Sequence, residues 1–132
     1  MPDLLMDREG PVVVLTMNRP ARRNAMTLAM FGRLADAWDE IDADKTIRVC
    51  ILTGAGDHFC AGMDLRAMAG DVDATDDYDV AGRMERDGSG WIYDGLLKTR
   101  HPRVPIIAAV EGNAIAGGTE ILQGTEIRVA GE

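Results

Sequence analysis

The sequence predicts an α/β fold built on a partly parallel sheet. Three observations carry this. Apolar runs of strand length and one long amphipathic stripe follow one another as strand, strand, helix, strand. The run Ile106–Val110, IIAAV, is apolar without alternation, the pattern of a strand covered on both faces. Glycine-containing turns follow apolar runs, at Gly54-Ala55-Gly56 after Val49–Thr53 and at Gly112 after Ile106–Val110, with Gly117-Gly118 a few residues further on.

Taken in order, Leu4–Arg8 and Val12–Met17 flank Gly10-Pro11 and read as two strands joined by a tight turn. Asn18-Arg19-Pro20 ends the second, and Ala21-Arg22-Arg23-Asn24-Ala25 is a basic polar loop. Thr27 is a plausible N-cap for a helix to about Asp42, since its hydroxyl can accept from the first free N–H groups. Phe31, Leu34, Trp38 and Ile41 fall three or four apart and give that helix an apolar stripe. Asp44-Lys45-Thr46 is a turn, and Val49–Thr53 the next strand. Asp71–Asp87 carries seven acids against Arg83 and Arg86 and has no clean period. It reads as a solvated, mobile acidic loop over about 70–88, or alternatively as a gate over a cleft. Trp91–Arg100 reads as a helix with Trp91, Ile92 and Leu96 inward, stopped by His101-Pro102. After Ile106–Val110, a short helix around Glu120-Ile121-Leu122 ends at Gly124, and Ile127–Ala130 is a last strand.

Composition sets the bounds. The 132 residues make at most one modest domain, and 46% hydrophobic residues suffice for a core. Aromatics are only 5%, so aliphatic side chains and methionine must fill it. A net charge of −8 argues against nucleic acid or an anionic membrane as the main partner. Cys50 and Cys60 show neither metal spacing nor a disulfide framework, which fits a reducing cytoplasm. No apolar run approaches membrane length.

The chemistry concentrates around Gly117-Gly118 and Glu120. Two glycines let a ligand approach bare backbone N–H groups. The first N–H groups of a helix lack internal partners. Such a turn can hold a developing negative charge on an oxygen, with a carboxylate one turn away to move a proton. A plain strand-to-helix turn with a solvated Glu120 is the alternative. His58 and His101 read as surface residues and Cys60 as a small buried hydrophobe.

Asn18-Arg19-Pro20 with Asn24-Ala25, Leu52-Thr53-Gly54 with Phe59-Cys60-Ala61-Gly62-Met63-Asp64-Leu65, and Ala108-Ala109-Val110-Glu111-Gly112 with Ala116-Gly117-Gly118-Thr119-Glu120 together resemble the crotonase superfamily of enoyl-CoA hydratases and isomerases. The resemblance covers nearly the whole chain, with the motifs in the right order. It implies a crotonase-like superhelix of ββα turns, of which this chain would be the N-terminal portion with the C-terminal portion absent. It implies acyl-CoA thioester substrates, with coenzyme A entering as part of the substrate and no prosthetic group. By position, the backbone N–H groups of Met63 and Gly117 would hold the thioester enolate oxygen, and Glu120 would be the first of the two glutamates that hydratases use. The basic loop with Arg22, Arg23 and Ala25 would lie near the CoA phosphates, and the Ala61, Gly62, Asp64 and Leu65 backbone near its adenine. The Met63 thioether would fill core or line the acyl pocket.

The second glutamate would lie in a later segment. Glu126 and Glu132 are expected to face solvent and not to replace it. The expected activity is hydration of a trans-2-enoyl-CoA in fatty-acid or related acyl-CoA breakdown, with an enoyl-CoA isomerase or a non-catalytic CoA-binding half as alternatives. The resemblance further implies a trimer or hexamer when the C-terminal half is present.

Overall fold

The computed structural model describes residues 1–70 and 76–132. Five strands form one sheet in sequence order: β1 (Leu4–Glu9), β2 (Val12–Met17), β3 (Val49–Gly54), β4 (Ile106–Val110) and β5 (Ile127–Ala130). The β1–β2 hairpin is antiparallel and the other three pairings are parallel. Gly10 turns the hairpin at φ +56°, a left-handed conformation that favours glycine.

The connections from β2 to β3 and from β3 to β4 are the crossovers that a parallel pair requires. The first is α1 (Leu28–Ala43), capped by Thr27, whose hydroxyl accepts from the Met30 N–H at 3.1 Å. Its stripe Phe31, Leu34, Trp38 and Ile41 is fully buried. It packs with Val13, Leu15, Met17, Cys50, Leu52 and Ile106 into one core. The second crossover holds α2 (Leu65–Met68), α3 (Val80–Asp87) and α4 (Gly90–Gly95). After β4 comes α5 (Gly117–Leu122).

The structure corrects four expectations. Ile106–Val110 is not covered on both faces: Ile106 and Ala108 are buried, while Ile107, Ala109 and Val110 are only part-buried. The helix expected over Trp91–Arg100 stops at Gly95, because Leu97 sits in the left-handed region at φ +59°. Leu97 packs there against Gly124, where an added Cβ would lie 2.4 Å from the Leu97 Cβ. Trp91 and Leu96 are buried as expected.

Asp71–Asp87 is not irregular throughout. Residues 71–75 lie outside the described part, but α3 occupies the end of the stretch, capped by the Asp79 carboxylate on the Gly82 N–H. Asp76 is an anchor, its side chain 1% exposed. Its oxygens accept from Arg33 Nε and Nη2, each at 2.7 Å, and from the Asp3 N–H at 2.6 Å. Finally, Glu126 does not simply face solvent. Its Oε2 accepts from the Ile106 N–H at 2.5 Å, and its Oε1 pairs with His101, fastening the start of β4.

Candidate active site

The site forms where two loops, one after β3 and one after β4, run side by side. The Cys60 N–H donates to the Asn113 carbonyl at 2.9 Å, and the Ile115 N–H donates to the Cys60 carbonyl at 3.0 Å. A second short ladder binds the first loop to the segment before α1: Met26 N–H donates to Gly62 O at 2.7 Å, and Asp64 N–H to Met26 O at 2.8 Å. In this parallel pairing Met26 bonds to the residues on either side of Met63, so the Met63 N–H is turned away from it.

The N–H turned away meets the start of α5. A Cβ built on Gly117 would lie 3.7 Å from the Met63 nitrogen and 3.7 Å from Gly62 Cα; one built on Gly62 would lie 3.4 Å from the Gly117 nitrogen. Among the described residues neither the Met63 nor the Gly117 N–H has an acceptor. Gly117 is the first residue of α5, where no intrahelical acceptor exists. Two donors from segments more than fifty residues apart thus share one notch, an arrangement that suits a single anionic oxygen.

Glycine is required around this notch for two separate reasons. Gly62 has φ +97°, and a Cβ there would lie 3.0 Å from the Ile115 carbonyl oxygen. At Gly118 a Cβ would fall 2.4 Å from the Cys60 carbonyl oxygen, so only hydrogen fits. Ala116 enters α5 at φ +49°, a costly conformation for a residue with a Cβ. Sequence reasoning anticipated the glycines but not the strained alanine between them.

Glu120 stands one helical turn beyond Gly117 and is part-exposed. Its carboxylate is ion-paired with Lys98, which follows the left-handed Leu97. The sequence carried no sign of that partner, because it depends on how the end of α4 lies against α5. Met63 is 38% exposed, so its side chain is not core filling. Cys60 is fully buried, and burial pushes its thiol up to about 11, so it is an inert small hydrophobe.

The basic loop divides into two. Arg19 is buried with its Nη1 on Asp64 Oδ2 at 2.8 Å and its Nε 3.8 Å from Asp3, so it braces the fold instead of facing a ligand. Asp64 is engaged likewise: its Oδ1 caps α2 by accepting from the Arg66 and Ala67 N–H groups at 3.1 and 3.0 Å. Burial alone would raise its pKa, but those N–H groups and Arg19 outweigh it and hold the carboxyl below its ordinary value. Only the backbone of Asp64 remains for a ligand. Pro20–Arg22 forms one 3₁₀ turn, Arg23 is exposed in the left-handed region, and Ala25 follows part-buried. Ala61 is part-buried, while Leu65 is 76% exposed.

A cavity of about 190 Å³ is lined by Leu28, Ala29, Ala67, Met68, Tyr78 and Val80, together with Asp3, Thr27 and Asp76. The chain runs from Met63 through the cap residue Asp64 into α2, which supplies Ala67 and Met68 to the cavity wall.

Residues 7–132 match the family described as enoyl-CoA hydratase/isomerase. The chain is 53% identical over 133 residues to enoyl-CoA hydratase EchA19 of Mycobacterium tuberculosis, covering 99% of this chain and 47% of that protein. It is 36% identical over 130 residues to 1,2-epoxyphenylacetyl-CoA isomerase of Escherichia coli, covering 96% of this chain and 47% of that protein. The crystal structure of an enoyl-CoA hydratase from Mycobacterium tuberculosis superposes with a TM-score of 0.78 at 39% identity, over 98% of this chain and 46% of the other. The chain spans about half the length of the curated relatives it matches. Its mixed sheet and helices correspond to the N-terminal part of the crotonase fold. Motifs, fold and relatives agree, and the chain belongs to the enoyl-CoA hydratase/isomerase family of the crotonase superfamily.

Proposed function

We propose that this chain carries the thioester-activating half of a hydratase site acting on a trans-2-enoyl-CoA. The observation that carries this reading is the shared notch of the Met63 and Gly117 N–H groups, with Glu120 one turn away. In the reaction, water adds to the β carbon of the enoyl group and the electron pair moves to the thioester oxygen. The two N–H groups hold that enolate oxygen. Collapse of the enolate takes up a proton at the α carbon, and Glu120 serves the proton transfers. A second carboxyl group, outside this chain's notch, completes the acid–base pair. Loss of one such backbone donor costs about 3–4 kcal/mol of transition-state stabilisation.

Arg22 and Arg23 carry positive charge toward the CoA phosphates, and the Ala25 and Ala61–Leu65 backbone frames the nucleotide. The substrate's own CoA is the only cofactor the scheme needs. The free thiols of Cys50 and Cys60 fit a cytoplasmic protein. The place is acyl-CoA breakdown, and the working assembly a trimer or hexamer together with the complementary half. A double-bond isomerase is the second reading, favoured by the single glutamate that stands beside the notch among the described residues.

The test is a hydration assay on a short trans-2-enoyl-CoA, with the chain alone and with the C-terminal half of a relative. Turnover is expected only, or overwhelmingly, in the complex. Glu120→Gln in the complex should lower it by roughly 10²–10⁴-fold, since the amide keeps the shape but takes no proton. Full activity of Glu120→Gln would refute its role, and conversion of a 3-enoyl-CoA without hydration would favour the isomerase.

A further inference from the structure

The geometry points to His58 as the positioning residue that sets Gly117 against Met63. This rests on the acyl-thioester reading above. His58 reads in the sequence as a surface residue, yet it is part-buried, and its Nδ1 accepts the Asn113 N–H at 3.2 Å. An imidazole nitrogen that accepts carries no proton of its own, so Nδ1 is occupied by the loop.

His58 is rigidly mounted. Its carbonyl accepts from the Asn24 side-chain amide at 2.7 Å, and the same amide donates to the Ala55 carbonyl at 2.9 Å. The partner loop is shaped to reach it. Gly112 lies at φ +57°, and a Cβ there would fall 2.2 Å from the Asp57 carbonyl oxygen and 2.7 Å from His58 Nδ1. Glycine therefore lets the loop press onto the imidazole.

From this contact the two site segments run on together. The next rungs are Cys60 N–H to Asn113 O and Ile115 N–H to Cys60 O, after which Gly118 seats on the Cys60 carbonyl. His58 supplies the first rung, and it does so with a side chain. Without that acceptor the Asn113 N–H loses its partner, and the segment that carries Gly117 loses its anchor at the near end. The register between Gly117 and Met63 then loosens while the nucleotide-facing loop, mounted on Asn24 and Arg19, stays in place.

Two variants separate the outcomes. His58→Leu keeps bulk and removes the acceptor; His58→Asn places an amide oxygen near the position of Nδ1. Hydrogen exchange across residues 111–118 should accelerate in His58→Leu and return toward wild type in His58→Asn. By calorimetry, butyryl-CoA should bind His58→Leu roughly tenfold more weakly, as expected for one unpaired part-buried N–H, with CoA binding unchanged. His58→Asn should retain both affinities. Unchanged exchange in His58→Leu, or equal loss for butyryl-CoA and CoA, would overturn the proposal. If the wild type binds neither ligand, the acyl-CoA reading fails, while the exchange comparison still decides whether His58 positions the Gly117 segment.

Discussion

At the scale of single residues, neighbouring glycines in α5 have opposite sensitivities. A methyl group at Gly117 meets only ordinary contacts, 3.5 Å to Met26 Sδ and 3.7 Å to the Met63 nitrogen. It also sits in the notch that the two N–H groups share. Gly117→Ala should therefore fold with stability within about 0.5 kcal/mol of wild type and yet bind acyl-CoA markedly less well. The same methyl at Gly118 runs into the Cys60 backbone carbonyl at 2.4 Å, which cannot swing aside as a side chain can. Gly118→Ala should cost about 1–3 kcal/mol of stability. Thermal melts paired with titration calorimetry check both; tight acyl-CoA binding by Gly117→Ala would contradict the placement of the anion. The cysteines give a third residue-scale prediction. Burial pushes Cys50 up to about 12 and Cys60 up to about 11, and both are fully buried. Neither should react with an alkylating agent at pH 8 until the protein unfolds, whereas an active-site thiolate would react at once.

At the scale of elements, buried carboxylates tie the pieces together. Asp76 joins the second crossover to α1 through Arg33 and to β1 through the Asp3 N–H; Asp64 joins α2 to Arg19. In Asp76, burial alone would raise the pKa, but Arg33 and the Asp3 and Tyr78 N–H groups hold it below 3.8. Asp64 is lowered for parallel reasons. A carboxyl lowered on folding contributes stability that is present above its unfolded pKa and lost as pH falls through the folded one. Asp3 works in the opposite direction: desolvation is the largest influence and raises it, despite Thr27 and Arg19. Asp42 and Asp44 are lowered as well, so with four lowered carboxyls against one raised among the described residues, urea midpoints should fall as pH drops below about 4. Asp76→Asn should cost about 1–3 kcal/mol at neutral pH and flatten that acid limb. An unaltered limb would show that Asp76 is not the anchor. Asp76 also marks where sequence reasoning reaches its edge. The hairpin, α1, β3 and the glycine motifs were legible because their signals are local: apolar runs bounded by turn residues, a Thr27 cap, a stripe at helical spacing. The role of Asp76 was not, since its partner Arg33 stands 43 positions away and the surrounding acids look equally solvated. The same holds for Lys98 beside Glu120 and for His58 under Asn113. Each is a contact across loops that no periodicity records.

At the scale of the whole molecule, the described residues bury one side of the sheet and leave the other part-exposed. Val13, Leu15, Cys50, Leu52 and Ile106 point into the core under α1, and Ala108 is buried beside them. The alternate residues form a second apolar face. The strand register aligns Val14, Ile51, Ile107 and Ile127 in one row, and it sets Ala109 beside Val129. Val14, Ile51 and Ile107 are part-exposed, and Ile127 and Val129 are 52% and 57% exposed. Among the described residues β5 is paired on one side only, with β4. A contiguous apolar face flanked by an unpaired strand edge favours association. Relatives twice as long have as much chain again with which to cover such a face. The isolated chain should therefore bind a hydrophobic dye and self-associate in a concentration-dependent way, seen by light scattering or analytical ultracentrifugation. Adding the C-terminal half of a relative should suppress both, and on the function proposed above hydratase activity should rise as they fall. Ile51→Glu and Val129→Lys test the cause: each should reduce self-association of the chain alone, and each should also weaken complementation. A chain that stays monomeric and dye-negative at high concentration, or whose complementation ignores both substitutions, would show that this face is not where the two halves meet.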